Sequence, residues 1–203
     1  NKKMISNLPI WIIAVFVTAT LLTTGVLQYS AKRSAFGSRT TNAVNFGLAF
    51  LLIFQGTLAA TGFYRNSTSP ALAIFFIGVL PSLILTILLL LLSGDFVERL
   101  DLRMLTLIHL VRIPVEIALY GLYLNGAIPQ LMTFEGRNPD ILVGFTAPVI
   151  ALAGFRGGVP RKWLLISWNI FGLAFLLNIV VNAALSIPGP IQQFAFDQPN
   201  LAV

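Results

Sequence analysis

The segment MLTLIHLVRIPVEIALYGLYL, residues 104–124, decides how this sequence is interpreted. It is mostly apolar, and as a helix rising about 1.5 Å per residue it is long enough to cross the roughly 30 Å hydrocarbon core of a bilayer. Two charges, Arg112 and Glu116, lie within it, with His109 one turn earlier. A charge at a bilayer centre costs about 2.5–3.5 kcal/mol on the insertion scale, so such residues normally face protein or water. The segment therefore predicts a membrane-spanning helix with a buried polar site.

The composition of the whole chain also indicates a membrane protein. Hydrophobic residues make up 57% of its 203 positions and charged residues only 10%, against about 25% charged in soluble domains. The net charge of +6 comes from Lys and Arg residues scattered beside apolar runs, without the basic stripe or aromatic platform that binds nucleic acid. We therefore expect the lipid bilayer as a partner, and no nucleic acid.

Six apolar segments have the length of membrane-spanning helices. Strands do not fit, because the runs are too long and lack alternation, and only helices and closed barrels satisfy their backbone in lipid. We predict an all-α, polytopic transmembrane helical bundle that forms a single integral membrane domain, residues 1–203. The six predicted spans are residues 8–27, 43–64, 71–92, 104–124, 141–155 and 163–186.

The two ends of the sequence leave alternatives. Lys2 and Lys3 precede the first apolar run as they would in a signal peptide, but the run is longer than a signal peptide's and basic residues follow it. We therefore predict a retained helix. The tail turns apolar again near residue 203, which leaves room for a further span beyond it.

The distribution of Lys and Arg predicts the orientation, because short cytoplasmic loops carry the excess of positive charge. On the side of the N-terminus the predicted spans place Lys2, Lys3, Arg65 and Arg137. On the opposite side they place Lys32, Arg33, Arg39, Arg99, Arg103, Arg156, Arg161 and Lys162. We predict that the larger set is cytoplasmic, and that both ends of the chain are extracytoplasmic together with the loop 125–140 and the tail 187–203.

Two predicted spans carry the candidate intramembrane site. Residues three and four apart share a helix face, so the fourth span presents a polar stripe on which Arg112 and Glu116 can pair with each other or with side chains of other spans. The alternative is a structural ion pair that fixes helix register. The sixth span adds two asparagines, which either line the same cavity or only join helices. The candidate site residues are His109, Arg112, Glu116, Tyr120, Asn178 and Asn182.

Two predicted extracytoplasmic segments are unusually polar for short connections. They are MTFEGRNPD at residues 132–140 and IQQFAFDQPN at residues 191–200. We predict that the loop 132–140 and the tail 187–200 pack together as an ordered cap over the outer mouth, which would carry a small-molecule pocket. The alternative is that Asn138-Pro139-Asp140 merely starts the fifth helix. The candidate mouth residues are Glu135, Arg137, Asp140, Gln193 and Asp197.

Specific contacts are expected to hold this cap together. Arg137 is predicted to bridge to one of the nearby carboxylates, Glu135, Asp140 or Asp197. An exposed ion pair adds only about 0–1 kcal/mol, so the order should come mainly from burying aromatic side chains. The aromatic residues expected to be buried are Phe134, Phe194 and Phe196. At the other end of the sixth span, Trp163 and Trp168 are interpreted as anchors at the membrane interface.

No metal site or catalytic centre is predicted. The chain has one histidine and no cysteine, whereas a metal site needs three or four ligands. The motifs HExxH and GxSxG are absent, so an intramembrane enzyme has no catalytic constellation to support it. No cofactor can be named.

The sequences WNIFGLAFLLNIVVNAALS, RIPVEIALYGLYL and FEGRNPDILVG resemble a group of uncharacterised polytopic membrane proteins found in bacteria. The resemblance covers roughly residues 104–200. It implies a protein of the bacterial inner (plasma) membrane. The group has no assigned activity, so the resemblance implies no functional residue.

Two functional hypotheses follow from these features. The first is a membrane protein that binds a small molecule, lipid or ion near the fourth span and the outer mouth, acting in transport or sensing. The second is an accessory or structural subunit of a larger membrane complex, or a homo-oligomer, in which Arg112 and Glu116 face polar groups of another chain.

Overall fold

A computed structural model describes residues 8–33, 38–63, 71–92 and 100–202. Within these ranges the regular structure is helical and contains no strand, which confirms the predicted all-helical class. Four residues used in the orientation argument, Lys2, Lys3, Arg65 and Arg99, lie outside the described ranges.

The helices follow the predicted segments closely. Short 3-10 helices are formed by Ile108–Val111 and by Gln130–Met132. The α-helices are α1 Ile10–Arg33, α2 Ser38–Ala60, α3 Ala71–Leu92, α4 Leu102–Leu107, α5 Arg112–Leu124, α6 Ile141–Ala153 and α7 Lys162–Leu185.

Helix length supports a membrane bundle without establishing six spans. The stretches long and apolar enough to cross a membrane are Ile10–Lys32, Thr41–Ala60, Leu102–Leu124 and Lys162–Leu185. Two shorter apolar stretches, Phe76–Leu88 and Ile141–Ala153, accompany them in the described part of the chain. The 13 residues of α6 rise about 20 Å, less than the roughly 30 Å of hydrocarbon. The number of six spans therefore stays a prediction.

The chain divides into two compact units. The second unit covers Thr24–Asp101, and α2 and α3 pack together in it. Gln55 on α2 donates from Nε2 to the backbone oxygens of Ile77 and Gly78 on α3, at 3.2 and 3.1 Å. An amide thus satisfies two carbonyls between these helices.

The first unit contains the start of the chain up to Thr23 and the segment Leu102–Ala202. Every candidate site residue belongs to this unit. Its core includes Val143 and Ala147 on α6 and Trp168 on α7. The beginning of α1 packs on α5, where Ile12 is fully buried and the absence of a side chain at Gly121 admits the ring of Trp11.

The helix that contains Arg112 is not a uniform α-helix. Pro114 has no N–H, and its ring crowds the carbonyl of Leu110, the residue four positions earlier. The turn just before it is accordingly the 3-10 helix Ile108–Val111. In a 3-10 helix residues three apart are aligned, which brings His109 directly beneath Arg112. By contrast, Pro81 and Pro148 lie inside helices assigned without a break.

Helix α6 approaches this 3-10 turn closely at Gly144. A Cβ atom placed at residue 144 would lie 2.7 Å from Cγ1 of Ile113, 3.2 Å from the backbone nitrogen of Ile113 and 3.3 Å from the backbone oxygen of His109. Small residues permit such backbone approach between membrane helices. Gly144 therefore fixes the distance between α6 and the helix that carries the polar residues.

We expect Gly144→Ala to lower the thermal stability of the purified protein in detergent by an amount equivalent to about 1–3 kcal/mol, because the added methyl group overpacks this contact. Gly172→Ala is the matched control, since a Cβ there would meet Val143 at an ordinary 3.4 Å. Both changes replace a helical glycine, so both gain the same helix propensity. Equal melting temperatures for the two variants would contradict the proposed close approach.

Candidate functional site

The first feature of the site is an ion pair between α5 and the residue before α6. The guanidinium of Arg112 pairs with the carboxylate of Asp140, through Nη1 and Oδ1. Their side chains are only 16% and 8% exposed. Burial raises the pKa of the Asp140 carboxyl, and the charge and hydrogen bond of Arg112 oppose that rise.

Arg112 also contacts two further elements. Its Nε donates to Nδ1 of His109 at 3.0 Å, and its Nη1 lies 3.4 Å from the backbone oxygen of Gly172 on α7. One side chain therefore joins the 3-10 turn, the start of α6 and the middle of α7.

Glu116 forms the second feature, one turn further along α5. It is 2% exposed, and both carboxylate oxygens accept hydrogen bonds from Nδ2 of Asn138, at 2.7 and 2.8 Å. Asn138 is itself 1% exposed, and its Oδ1 accepts from the backbone N–H of Asp140 at 3.3 Å. Glu116 is thus held by a neutral amide.

The direct Arg112–Glu116 pair that the spacing allowed is therefore not formed. Both residues do point into protein, as predicted, but the carboxylate and the amide that they bind belong to the loop before α6, and the contact of Arg112 with another span is to a backbone oxygen, that of Gly172. Asn138 and Asp140 are two residues apart, so they reach side chains one turn apart on α5. Asn138 was expected either to belong to the polar outer mouth or to start the fifth helix, and its position beside a buried carboxylate was not predicted.

The loop 130–140 folds on itself and thereby presents the side chains of Asn138 and Asp140 to α5. Thr133, which is fully buried, donates from Oγ1 to the backbone oxygen of Gln130 at 2.8 Å. A Cβ atom at Gly136 would lie 2.2 Å from that same oxygen, so only glycine fits there. Asp140 lies at the N-terminal end of α6 but makes no side-chain cap. The loop therefore leads into α6, as the helix-start alternative expected but without a side-chain cap, and it also holds Asn138 and Asp140 against α5.

His109 connects the ion pair to the core. Its ring meets that of Trp168 edge to face, with centroids 4.9 Å apart, and Trp168 donates from Nε1 to Oγ1 of Thr146 at 2.9 Å. Trp168 is 9% exposed, so its interpretation as an interfacial anchor is wrong, because His109 and α6 cover it. Trp163 is 82% exposed. Because Nδ1 of His109 accepts from Arg112, the neutral imidazole carries its proton on Nε2.

The two asparagines of α7 lie at the outer end of the site and join elements together. Asn178 donates from Nδ2 to the backbone oxygen of Arg137 at 2.5 Å, and Asn182 donates to Oδ1 of Asn178 at 3.1 Å. Ser186 donates to the backbone oxygen of Asn182 at 2.7 Å. These contacts join α7 to the loop 130–140 and not to a second helix, so neither alternative for this pair is confirmed.

The predicted cap is partly present. Gln198 donates from Nε2 to the backbone oxygens of Tyr123 and Ile128, at 3.0 and 2.6 Å. Asn200 donates from its backbone N–H to the oxygen of Ser186 at 2.8 Å. The guanidinium of Arg137 lies 5.4 Å from the ring centroid of Phe194. Loop and tail therefore do contact each other.

The expected contacts within the cap were wrong in two respects. Among the described residues no salt bridge joins Arg137 to Glu135, Asp140 or Asp197, because Asp140 is taken by Arg112. Phe196 is 70% exposed, so amide hydrogen bonds to backbone oxygens, not aromatic burial there, order the tail. Glu135, Gln193 and Asp197 are exposed, whereas Asp140 is buried against Arg112. Tyr120 packs its ring on Phe134, with centroids 5.1 Å apart.

A groove of about 780 Å³ lies on the other side of His109, between α4 with the 3-10 turn and the first half of α7. Its polar lining is sparse and consists of Thr106, His109, Lys162 and Asn169. Apolar residues form most of the wall, among them Leu102, Leu105, Ile108, Leu165, Ile170 and Leu173. We call this the His109 groove. The groove was not predicted from the sequence, because the two walls of the groove are about 60 residues apart along the chain.

The groove has the size of a ligand site, since small-molecule pockets are typically about 300–1,000 Å³ and mostly apolar. Among the described residues no three His, Asp or Glu side chains are grouped as metal ligands would be. No acceptor for Nε2 of His109 is found among those residues either, which leaves that N–H available to an oxygen atom in the groove.

Comparison with protein-family models, with curated proteins and with solved structures finds no match for this chain. The resemblance to bacterial polytopic membrane proteins therefore stays a prediction. The function must be inferred from the geometry of the site itself.

We expect Asp140→Ala to reduce stability by about 3–5 kcal/mol, because it leaves the Arg112 guanidinium buried without its partner. The double variant Arg112→Leu/Asp140→Ala should recover much of that loss, since it removes the unpaired charge. Arg137→Leu is the control, because its exposed guanidinium contacts only a ring and should be worth about 0.5–1 kcal/mol. Thermal unfolding in detergent measures these three variants and the single variant Arg112→Leu. A double variant as unstable as the sum of its single changes would refute the coupling.

Proposed function

We propose that this chain is an integral membrane protein that binds a small amphiphilic molecule in the His109 groove, with a sensor-like or transport-like role. The observation that carries the proposal is that His109 takes part in two features at once. It forms part of the groove wall and accepts a hydrogen bond from the buried Arg112.

The chemistry of the groove suits an amphiphile. The wall is mostly aliphatic, and the Lys162 ammonium and the Nε2–H of His109 are among the donors that it offers to polar atoms of the occupant. The original candidates around Glu116 suit a ligand less well, because that carboxylate is buried and hydrogen-bonded to Asn138. Binding at His109 would act on the Arg112–Asp140 pair and through it on the start of α6, which is the basis for a sensor-like response.

The alternative is an accessory subunit of a larger membrane complex. Large apolar side chains are exposed along several helices, for example Ile13 on α1, Phe46 on α2 and Leu177 on α7. Either lipid or the helices of another chain, including a second copy, would cover them. This alternative predicts that His109 is reached by protein and not by a small molecule.

We further propose the orientation given by the basic residues, with the start of α7 in the cytoplasm and the tail outside, in a bacterial inner membrane. The chain has no cysteine, so single substitutions label without background. Val159→Cys, at a residue 72% exposed, should react with an impermeant maleimide only after the cells are opened. Gln193→Cys should react in intact cells, and the reverse pattern would exclude this orientation.

Ligand binding can be tested by fluorescence quenching, because His109 of the groove wall is in ring contact with Trp168. The chain has three tryptophans, and Trp11→Phe/Trp163→Phe leaves Trp168 as the reporter. In phosphatidylcholine vesicles, a neutral monoacylglycerol with a dibrominated chain should quench this tryptophan saturably. Ile170→Phe, which narrows the groove, should raise the half-saturating concentration at least several-fold.

The control for this experiment is Leu177→Phe, an equal change on the same helix at an exposed residue outside the groove. It should leave quenching unchanged. Quenching that rises linearly with the probe, or that responds equally to both variants, would show simple partitioning into the bilayer and would contradict the proposal.

A further inference from the structure

We infer that the natural occupant of the His109 groove is an anionic phospholipid, with one acyl chain in the groove and its headgroup at Lys162. This inference rests on the proposed function and specifies its ligand class. Three properties of the first unit point to it: the length of the groove, the charge at one end and the aromatic residue beside that end.

The length of the groove matches one leaflet of a bilayer. Its wall on α7 runs from Lys162 to Leu173, which corresponds to about 16 Å along an α-helix. Half of a hydrocarbon core of about 30 Å is about 15 Å. An acyl chain that enters at Lys162 would therefore run past His109 and end near Leu173.

The open end of the groove is basic. Lys162 belongs to the wall, and Arg103 follows the first residue of the opposite wall. Arg161 directly precedes α7 in the sequence, and all three side chains are exposed. Within residues 100–202, Asp101 is the one acidic residue that is close in sequence to these basic residues. The net charge of this end of the groove is therefore positive. Basic pockets between membrane helices on the cytoplasmic side bind anionic headgroups.

Trp163 supports the same placement. It is 82% exposed and adjoins Lys162, and exposed tryptophans concentrate at the level of lipid headgroups. The end of the groove thus lies where a phosphate would be, and the apolar part extends inward from it. An apolar ligand without a headgroup would make no use of this charged end.

The test uses the Trp168-only protein in phosphatidylcholine vesicles that contain a small fraction of dibrominated phosphatidylglycerol or of dibrominated phosphatidylcholine. Phosphatidylglycerol should reach half-maximal quenching at a mole fraction at least fivefold lower. Lys162→Gln should remove about fivefold of that preference, the effect expected of one basic side chain. Arg156→Gln, which lies outside the groove wall, should have a much smaller effect.

The outcomes separate this inference from the proposed function. Equal quenching by both phospholipids, while the monoacylglycerol still quenches saturably, would overturn the anionic headgroup but leave the groove as a ligand site. A preference lost equally in Lys162→Gln and Arg156→Gln would indicate diffuse surface attraction and would also overturn it. Failure of the monoacylglycerol itself would refute the proposed function. Saturable, phosphatidylglycerol-selective quenching that depends on Lys162 supports the inference.

Discussion

The burial of Arg112 is the constraint on which the first unit depends. A guanidinium cannot be left in hydrocarbon without a cost of about 2.5–3.5 kcal/mol or more, and in this chain Asp140 neutralises it. Because Asp140 directly precedes α6, the pair also fixes where that helix begins. Gly144 then allows α6 to lie against the turn that carries His109. The position of α6 is thus set by the charge of Arg112 and by the absence of a side chain at Gly144.

Neutral amides hold the outer end of the unit. Asn138, Asn178, Gln198 and Asn200 donate hydrogen bonds to carboxylate or backbone oxygens. Individual side-chain hydrogen bonds between membrane helices average only about 0.6 kcal/mol in one measured bundle. Their effect here is therefore collective, since they join the loop, the end of α7 and the tail at several points. The charged residues of the same segments, apart from Asp140, remain at the surface.

The sequence predicted those features that depend on local periodicity. Apolar length gave the helices, and the three- and four-residue spacing identified His109, Arg112 and Glu116 as inward-facing. It did not predict the partners of Arg112 and Glu116, which are 28 and 22 residues away, because spacing rules describe only neighbours on one helix. Trp168 was misplaced for the same reason: its position near a helix start indicated an interface, whereas residues from two other elements bury it. The groove could not be predicted either, since neither wall is unusual alone.

His109 belongs both to the hydrogen-bonded network of Arg112 and Asp140 and to the wall of the His109 groove. We conclude that Arg112 forms its ion pair with Asp140 of the same chain, and not with a ligand or another protein. A density map of the protein in lipid nanodiscs, at a resolution that shows side chains, tests this most directly. We expect the guanidinium against the Asp140 carboxylate, with His109 on its Nε side. A guanidinium turned toward Glu116, toward lipid or toward a neighbouring chain, with Asp140 apart from it, would contradict the account.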